Sequence, residues 1–384
     1  MRPFIRALIV VGTSLLLLAC GTATTPAPPT NAPPAAQPSP TALPVVPILT
    51  PSSVPTSAPT SAPTVAPTSA PVAKLGWSQL AATNAGPSAR YDHSALVDPV
   101  KQTLVVFGGR GSGTLGDTWL FDLTTRAWRE VKGNGPAPRF GHATVYDAAH
   151  RRLVLIMGEG ANFYNDVWAF DLDKETWTQL SASGVDEQKP RPRYGQSAAL
   201  DGKGRVIISH GFSDQGRFDD TWAFDLQTNQ WINLMPTTGA KPLKRCLHEL
   251  VYDAAADRIV LFGGCSSGFG PCPQGDLWAF DLKTNAWTEL KPAGDKPSAR
   301  SNPSAMYDAA SRRIVLFGGK TDGGASGETW TYDLALNRWT KSDGSGPAAR
   351  SSHDGDYDAK AKRLVIFGGQ AASGASAEVW ELKL

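Results

Sequence analysis

The sequence predicts an all-β domain over residues 74–384, built from six repeats of four short strands each. Three observations predict it. Tryptophans recur in pairs nine residues apart, an apolar run precedes each pair and ends in paired glycines in four repeats, and an arginine-led segment precedes each run. Each unit spans about 50 residues, and four strands over that length are typical of a β-propeller blade.

The tryptophan pairs predict the third and fourth strands of each repeat. Trp119, Phe121 and Leu123 alternate with other residues at period two, which is typical of a half-buried strand. Asp122 and the polar residues after it predict a turn, and the second tryptophan then opens the next strand. The pairs are Trp119/Trp128, Trp168/Trp177, Trp222/Trp231, Trp278/Trp287 and Trp330/Trp339.

The segments upstream of each pair predict the first and second strands. Paired glycines end the second strands because glycine adopts backbone conformations that other residues avoid. These strands are predicted at 104–109, 259–264, 314–319 and 364–369. We expect each first strand to begin at a repeated arginine and to end near a Tyr-Asp pair. The arginines are Arg90, Arg139, Arg193, Arg245, Arg300 and Arg350.

The glycine pair, the aromatic-Asp-Leu strand and the closing tryptophan, in this order, resemble Kelch repeats, and the resemblance covers residues 77–384. It implies a six-bladed β-propeller of Kelch blades, similar to the central domain of galactose oxidase. The last repeat ends after its third strand, which contains Trp380, and the residues from Trp77 to Leu80 match the fourth strand at 177–180. We therefore expect the N-terminal strand to complete the last blade and close the ring, which removes open strand edges.

Residues 1–19 predict an export signal. Arg2 and Arg6 supply positive charge, and the apolar run that follows is too short to span a bilayer. The run ends in Leu-Leu-Ala before Cys20 and resembles the bacterial lipobox. This resemblance implies that a lipid is attached to Cys20 and that the mature protein begins there. An ordinary signal peptide with a chance cysteine is the alternative.

Residues 20–73 predict a disordered stalk. They carry no charge and are rich in Pro, Thr, Ala and Ser, so they bury too little apolar surface to fold. The expected protein is therefore exported and held at the outer face of the cell membrane by the lipid on Cys20.

The folded part is electrically neutral. Of the 37 Lys and Arg residues in the chain, Arg2 and Arg6 precede it, so 35 remain against 35 acidic residues. A neutral domain without a basic stripe argues against a nucleic-acid partner. We expect a monomer.

An Arg-x-x-His pattern recurs at the start of four repeats. A feature that recurs in this way is most simply explained by the fold, and we expect these groups to ring the channel mouth and to form hydrogen bonds with neighbouring blades. The pairs are Arg90/His93, Arg139/His142, Arg245/His248 and Arg350/His353.

Departures from the repeat predict a ligand site in the second and third repeats. Their loops between strands two and three carry aromatic, amide and charged residues, which suit a sugar or a peptide. The alternative is ordinary loop variation. The candidates are Glu159, Asn162 and Tyr164 in the second repeat and His210, Phe212, Asp214 and Arg217 in the third.

Three cysteines remain after Cys20, all in the fourth repeat. A disulfide is expected outside the cytoplasm, and Cys265 with Cys272 would pin the loop between them. Cys246 with Cys265 is the alternative.

The sixth repeat carries Asp354 and Asp356, and Asp356 stands where four other repeats have Leu, Val or Met. These carboxylates face channel water or help to hold a cation, but their spacing falls short of a calcium loop. No metal or other cofactor is predicted.

The sequence contains no serine-hydrolase elbow, no His-Glu-x-x-His motif and no phosphate-binding glycine loop. The favoured function is a non-catalytic binding or scaffold module for a protein or glycan. The alternative is a sugar-modifying enzyme that resembles sialic-acid (N-acetylneuraminate) epimerase, with Glu159, His210 and Arg217 as candidate acid and base groups. The stalk and the lipobox favour the binding module.

Overall fold

The computed structural model describes residues 76–236 and 238–384, and every regular element in them is a β-strand. In this part of the chain no helix is long and apolar enough to cross a membrane. The predicted signal peptide (1–19), Cys20 and the predicted stalk (20–73) lie outside the described residues.

Strand β1 (Gly76–Gln79) comes first, and six four-stranded antiparallel sheets, numbered 1 to 6 in chain order, account for most of the remaining strands. Sheet 1 contains β2 (Ser94–Asp98), β3 (Thr103–Arg110), β4 (Thr114–Asp122) and β5 (Trp128–Val131). Sheet 2 contains β6 (Ala143–Asp147), β7 (Arg152–Glu159), β8 (Phe163–Asp171) and β9 (Thr176–Ser181). Sheet 3 contains β10 (Ser197–Leu200), β11 (Arg205–Ser209), β14 (Thr221–Asp225) and β15 (Gln230–Asn233). A small hairpin of β12 (Phe212–Ser213) and β13 (Gly216–Arg217) lies between its second and third strands in the chain.

Sheets 4 and 5 follow the same plan. Sheet 4 contains β16 (Glu249–Asp253), β17 (Arg258–Phe262), β18 (Leu277–Asp281) and β19 (Ala286–Leu290). Sheet 5 contains β20 (Ser304–Asp308), β21 (Arg313–Phe317), the hairpin β22 (Lys320–Thr321) and β23 (Gly324–Ala325), β24 (Thr329–Asp333) and β25 (Arg338–Lys341).

Sheet 6 takes its fourth strand from the other end of the chain. Short strands β26 (Arg350–Ser351), β29 (Gln370–Ala371) and β30 (Gly374–Ala375) form a small sheet beside β27 (Asp354–Asp358), β28 (Arg363–Phe367) and β31 (Val379–Lys383). The order in sheet 6 is β1-β31-β28-β27, with Trp77 opposite Leu382. The Trp77 ring lies 4.9 Å from that of Phe317, and its Nε1 donates a hydrogen bond to Thr329 of sheet 5.

The second strands are buried on both faces. Val105, Val106 and Phe107 of β3 have no exposed surface, although successive side chains of a strand point to opposite faces. Sheet 1 packs between two others, because Val106 belongs to a cluster with Val365 of sheet 6 and Val105 to one with Leu153 of sheet 2. This explains why the second strands are continuous apolar runs rather than alternating ones.

The predicted turn after each third strand is present. The Asp122 Oδ1 atom accepts hydrogen bonds from the amides of Thr124 and Thr125, at 2.8 and 2.7 Å. A side chain that bonds its own backbone two and three residues on stabilises such a turn. The same contacts recur at Asp171, Asp225, Asp281 and Asp333.

Candidate binding surface and central cavity

The repeated arginines hold each sheet together from within. Arg90 has no exposed surface and donates to both carboxylate oxygens of Asp117, at 2.7 and 2.9 Å, and to the carbonyl of Gly108. Trp119 donates its indole N–H to the same carboxylate. The expected bonds between neighbouring repeats are made by the backbone carbonyl groups of the arginines, as in the hydrogen bond from the Gly109 amide to Arg139 at 2.8 Å, whereas each side-chain ion pair lies within one repeat. The pairs are Arg90–Asp117, Arg139–Asp166, Arg193–Asp220, Arg245–Asp276, Arg300–Glu328 and Arg350–Glu378.

The first strand begins about four residues after the arginine, at Ser94 rather than Arg90. The intervening bend places the residue two after each arginine in the left-handed region, with φ between 49° and 65°. In each repeat the amide of this residue donates a hydrogen bond of 2.7 to 3.0 Å to the carbonyl of the equivalent residue in the preceding repeat. In the first repeat the bond runs from the Asp92 amide to the Ser352 carbonyl of the last repeat, so the six bonds form a ring. The residues in this ring of hydrogen bonds, in order, are Asp92, Gly141, Gly195, Leu247, Asn302 and Ser352.

The histidines of the Arg-x-x-His pattern are wedged between neighbouring sheets. The His353 Nε2 atom lies 2.8 Å from the Ser304 hydroxyl of sheet 5, and its ring packs edge-on against Phe317. A side chain at Gly318 would come within 2.7 Å of this imidazole, so the first glycine of the pair leaves room for the next histidine. Burial lowers the pKa of His142 and of His353 to about 3, so both are neutral at physiological pH.

Met157 and His210, which depart from the repeat pattern, are both buried in the interior. Each replaces the first glycine of the pair, adopts a left-handed φ, at 64° and 60°, and has no exposed surface. The His210 Nδ1 atom lies 2.6 Å from the Ser209 hydroxyl, and its ring packs against His248 and Trp287 of sheet 4. The placement of His210 on an exposed binding loop is therefore wrong, because its side chain fills the space between sheets 3 and 4.

A row of three aromatic side chains with an arginine at each end crosses sheets 1 to 3. The Arg110 guanidinium carbon lies 3.5 Å from the centre of the Phe140 ring, and Phe140 contacts Tyr194 at 5.6 Å. Tyr194 contacts Phe212 at 5.7 Å, and the Arg217 guanidinium lies 5.3 Å from the Phe212 ring. These five residues are the aromatic row. Cation–π contacts and edge-to-face pairs of this kind fix the orientation of the rings.

The aromatic row lies beside the ring of hydrogen bonds because of where Phe140 and Tyr194 stand in the repeat. Each follows the repeated arginine and pairs through its backbone with the segment that leaves strand two, Phe140 with Glu159 and Tyr194 with Phe212. Sequence reasoning missed Phe140 and Tyr194. A signal was present, since this position is aromatic in repeats 1 to 3 and small in the others, which have Cys246, Ser301 and Ser351.

The remaining candidates of the second repeat have different surroundings. Glu159 is half-buried beside the aromatic row, and burial raises its pKa while Arg110 opposes the shift. Asn162 is exposed at a turn. The Tyr164 ring lies under the Arg139 guanidinium at 4.2 Å, so it supports the buried ion pair.

Of the remaining candidates of the third repeat, Arg217 contacts a loop of sheet 4. Asp214 is exposed at the tip of the β12–β13 hairpin. Arg217 donates to the carbonyls of Cys265 and Ser267, at 3.1 and 2.8 Å. Only Glu159, Phe212 and Arg217 of the seven candidates therefore adjoin or belong to the aromatic row, and the Arg217 guanidinium is already engaged.

A disulfide joins Cys265 to Cys272, and Cys246 is a buried free thiol. The loop between the two bonded cysteines presents Phe269, which is 51% exposed. The disulfide and the hydrogen bonds from Arg217 restrain this loop next to the aromatic row.

A cavity of about 620 Å³ is lined by the first strands of all six sheets and by the ring of hydrogen bonds. Asp354 and Asp356 line it and accept hydrogen bonds from the amides of Ala95 and Val97 in sheet 1, at 2.8 and 3.1 Å. Burial raises the pKa of Asp354 to about 7 and that of Asp356 to about 6. Within the described ranges no three His, Cys, Asp or Glu side chains lie close enough together to hold a metal ion. Asp354 and Asp356 act in the fold as backbone acceptors.

Residues 69–264 and 253–384 match the model of the KLHDC2/KLHL20/DRC7 Kelch-repeats domain. The chain belongs to the Kelch-repeat family. The all-β fold of four-stranded antiparallel sheets is consistent with Kelch blades.

Kelch repeat-containing protein 2 of Saccharomyces cerevisiae is 29% identical over 39% of this chain and 18% of the relative. Kelch domain-containing protein 10 of Xenopus tropicalis is 29% identical over 40% of this chain and 38% of the relative. Acyl-CoA-binding domain-containing protein 5 of Arabidopsis thaliana is 27% identical over 69% of this chain and 41% of the relative. The matched part is less than half the length of each of these proteins.

Proposed function

We propose that this Kelch protein is an exported, lipid-anchored binding module whose closed six-bladed propeller captures a protein partner on the aromatic row. The observation that carries the proposal is the row itself, in which the half-buried rings of Tyr194 and Phe212 lie beside Arg217 and are supported by the buried Phe140 ring. Tyrosine and arginine are enriched among the few residues that dominate the binding energy at protein interfaces.

The cyclic order of the hydrogen-bonded ring supports a closed six-bladed arrangement. It passes through one residue of each repeat and returns from Asp92 to Ser352. The pairing of β1 with β31 supports closure too, because it gives sheet 6 a fourth strand like that of the other sheets.

The surroundings of the aromatic row favour a protein as the partner. Phe269 stands exposed on the restrained loop beside Arg217, as an anchor for a pocket on a partner. Arg110 and Glu159 place charges of both signs at the opposite end of the aromatic row, which suits the polar rim of a protein interface.

An epimerase-like activity has no such support. Its three candidate groups were Glu159, His210 and Arg217, but His210 is buried between sheets 3 and 4 and Arg217 is bonded to the loop of sheet 4. A general acid or base must reach its substrate.

The lipid anchor rests on the resemblance of the sequence around Cys20 to a lipobox. In a bacterial host, the wild-type protein should fractionate with membranes, and Cys20→Ser should be released in soluble form. Recovery of both proteins in the same soluble fraction would remove the anchor from the proposal.

The partner site is tested with a matched pair of substitutions at one position of the repeat. Photo-crosslinking from the domain on intact cells should yield a specific protein adduct, and Tyr194→Ser should reduce its yield at least about tenfold. Ser301→Ala, at the same position in repeat 5, should leave the yield unchanged. Thermal unfolding midpoints would check that both variants fold. An adduct that forms equally well with Tyr194→Ser, or a glycan array that binds the domain in place of any protein, would overturn this assignment.

A further inference from the structure

A cleft of about 600 Å³ lies at the junction of sheets 4 and 5. This junction cleft is lined by β18, by β19, by the loop that leads from β19 to Arg300, and by Trp339 of β25. Its volume lies in the range of small-molecule sites. The apolar side chains in its wall include Leu277, Leu290, Pro292 and Pro297.

The Trp339 ring packs 5.3 Å from Phe262 and 4.9 Å from Tyr332, but its indole N–H donates to no group of the described residues. In repeat 2 the equivalent N–H donates to the hydroxyl of Thr118 in the preceding sheet, at 3.0 Å, and repeat 6 makes the same contact. The residue at the position of this threonine in sheet 4 is Leu277, which has no acceptor and lines the junction cleft. The donor of Trp339 is therefore left without its usual partner at the wall of the cleft.

The N–H of Trp339 can be reached by a ligand. The N–H groups of Trp231 and Trp287 also lack partners, but they have almost no accessible surface, whereas that of Trp339 retains some. Trp339 as a whole is only 4% exposed. A buried donor without a partner costs about 1–3 kcal/mol and is rare in proteins. This group indicates a ligand that brings a hydrogen-bond acceptor.

Lys296 brings a positive charge to the same cleft. It stands four residues before Arg300, at a position where three other repeats have a glycine that packs on the indole ring. A Cβ atom at Gly135, for example, would come within 2.8 Å of the Trp177 ring. A lysine has no room in that position, and in repeat 5 the space beside Trp339 is the junction cleft. The glycines at this position are Gly86, Gly135 and Gly346.

Lys296 differs from the two other lysines at this position of the repeat. Lys189 of repeat 3 forms an ion pair with Asp186 at 3.3 Å. Lys241 of repeat 4 forms an ion pair with Asp219 at 2.8 Å. Lys296 forms no ion pair with any described residue, so its charge remains available to a ligand.

The two carboxylates in the lining do not compensate the charge of Lys296. Asp276 accepts hydrogen bonds from Arg245 at 2.6 and 2.7 Å, and Glu289 pairs with Lys291 at 3.4 Å. Over the residues that the structure describes, the cleft therefore combines an unpaired cation and an unpartnered N–H donor with an apolar wall. This combination suits a ligand with one negative charge and an apolar body.

We infer that the junction cleft binds a small organic carboxylate, which accepts a hydrogen bond from the indole N–H of Trp339 and whose charge is balanced by Lys296. Hydrogen bonds to a carboxylate are stronger than those to a neutral acceptor. The apolar body of the ligand lies against Leu277 and Leu290. Because the aromatic row crosses sheets 1 to 3, this site does not depend on the proposed partner.

The test is isothermal titration of the purified protein with 4-phenylbutyrate. We expect saturable binding of one molecule per chain. The alcohol 4-phenylbutanol has the same apolar body without the charge and should bind at least about tenfold more weakly, and the cationic 4-phenylbutylamine should not bind. Absence of saturable binding of the carboxylate, or equal binding of the alcohol, would overturn the inference.

Substitutions at matched positions of the repeat separate this site from a general charge effect. Lys296→Gln should weaken the binding of 4-phenylbutyrate at least about fivefold, whereas Lys241→Gln, at the paired lysine of repeat 4, should bind like the wild type. Lys296 is exposed, so this variant should fold.

The indole donor is tested in the same way. Trp339→Phe keeps an aromatic ring, removes the N–H and should weaken binding at least about fivefold. Trp177→Phe makes the same change where the N–H already bonds Thr118, and it should bind like the wild type. Thermal unfolding midpoints check that the variants fold. Unchanged affinity in Lys296→Gln and Trp339→Phe, or equal losses in their controls, would refute the assignment.

Discussion

The Oδ2 atom of Asp356 accepts a hydrogen bond from the amide of Val97, 3.1 Å away and 259 residues earlier in the chain. Asp354 makes the equivalent contact with Ala95 at 2.8 Å. Sheet 6 is thereby bonded to sheet 1 through two carboxylates that also line the central cavity. Their burial makes the stability of this junction depend on pH.

The contribution of Asp354 to stability should fall as the pH rises from about 4 to about 7. Burial raises the pKa of Asp354 from 3.8 to about 7 in the folded protein, so in this window the folded state holds a proton that the unfolded state has released. Asp354→Asn keeps an acceptor for Ala95 and removes the charge. At pH 8 it should be more stable than the wild type by about 1–2 kcal/mol, after allowance for water in the cavity, and near pH 4 the difference should vanish. Thermal midpoints measured from pH 4 to 8 check this, and a wild type that gains stability relative to Asp354→Asn as the pH rises would contradict it.

The ion pair between Arg139 and Asp166 should contribute to stability far more than an exposed pair does. Both of its side chains are almost completely buried. Arg139→Met leaves the Asp166 charge without its partner and should lower the free energy of unfolding by about 3–5 kcal/mol in chemical denaturation. Arg129→Gln breaks an exposed pair with Glu175 and should cost less than about 1 kcal/mol. An equal loss of unfolding free energy in the two variants would show that burial does not determine how much these ion pairs contribute to stability.

The three cysteines of the fourth repeat should separate into one disulfide and one thiol. Peptide mapping without reduction should recover Cys265 linked to Cys272, and Cys246 should react with an alkylating agent only after unfolding, because it is buried. Replacement of both Cys265 and Cys272 by serine should lower the free energy of unfolding by about 2–3 kcal/mol. Cys246→Ser should preserve the linked peptide. A peptide in which Cys246 is linked to Cys265 would refute the assignment.

Removal of β1 should destabilise the whole domain. A variant that begins at Ala81 lacks the Trp77 ring, which packs against Phe317, and Leu80, which is 4% exposed. It also exposes the edge of β31, which invites self-association. Compared with a variant that begins at Lys74, its thermal midpoint should be lower by on the order of 5 °C, and size-exclusion chromatography should detect oligomers. Identical melting and elution of the two variants would show that β1 is dispensable.

Repetition made most strands readable in the sequence. Tryptophan spacing located the third and fourth strands, as at Trp119 and Trp128, because a half-buried strand with a tight turn imposes a local pattern. The start of the first strand was misplaced at the arginine. Arg90 bonds Asp117 in the third strand of the same sheet, and no local pattern reveals that distant partner.

Only part of the candidate binding surface could be predicted from the sequence. Phe212 and Arg217 were found because they depart from the repeat, whereas Phe140 and Tyr194 follow a repeated arginine and were overlooked. His210 departs from the repeat as well, yet it lies in the interior. A departure shows that a position is unusual, but the direction of its side chain depends on the neighbouring sheet.

The sequence by itself determined the repeat, its four strands and the family, because these depend on residues close together in the chain. The tertiary structure decided which polar groups serve the fold and which remain available. Asp356 is bonded to Val97 across the junction of sheets 6 and 1, whereas Glu249, on a strand of the same type, is left facing the central cavity. That distinction depends on which chemical groups meet from distant parts of the chain, and only packing of the sheets brings them together.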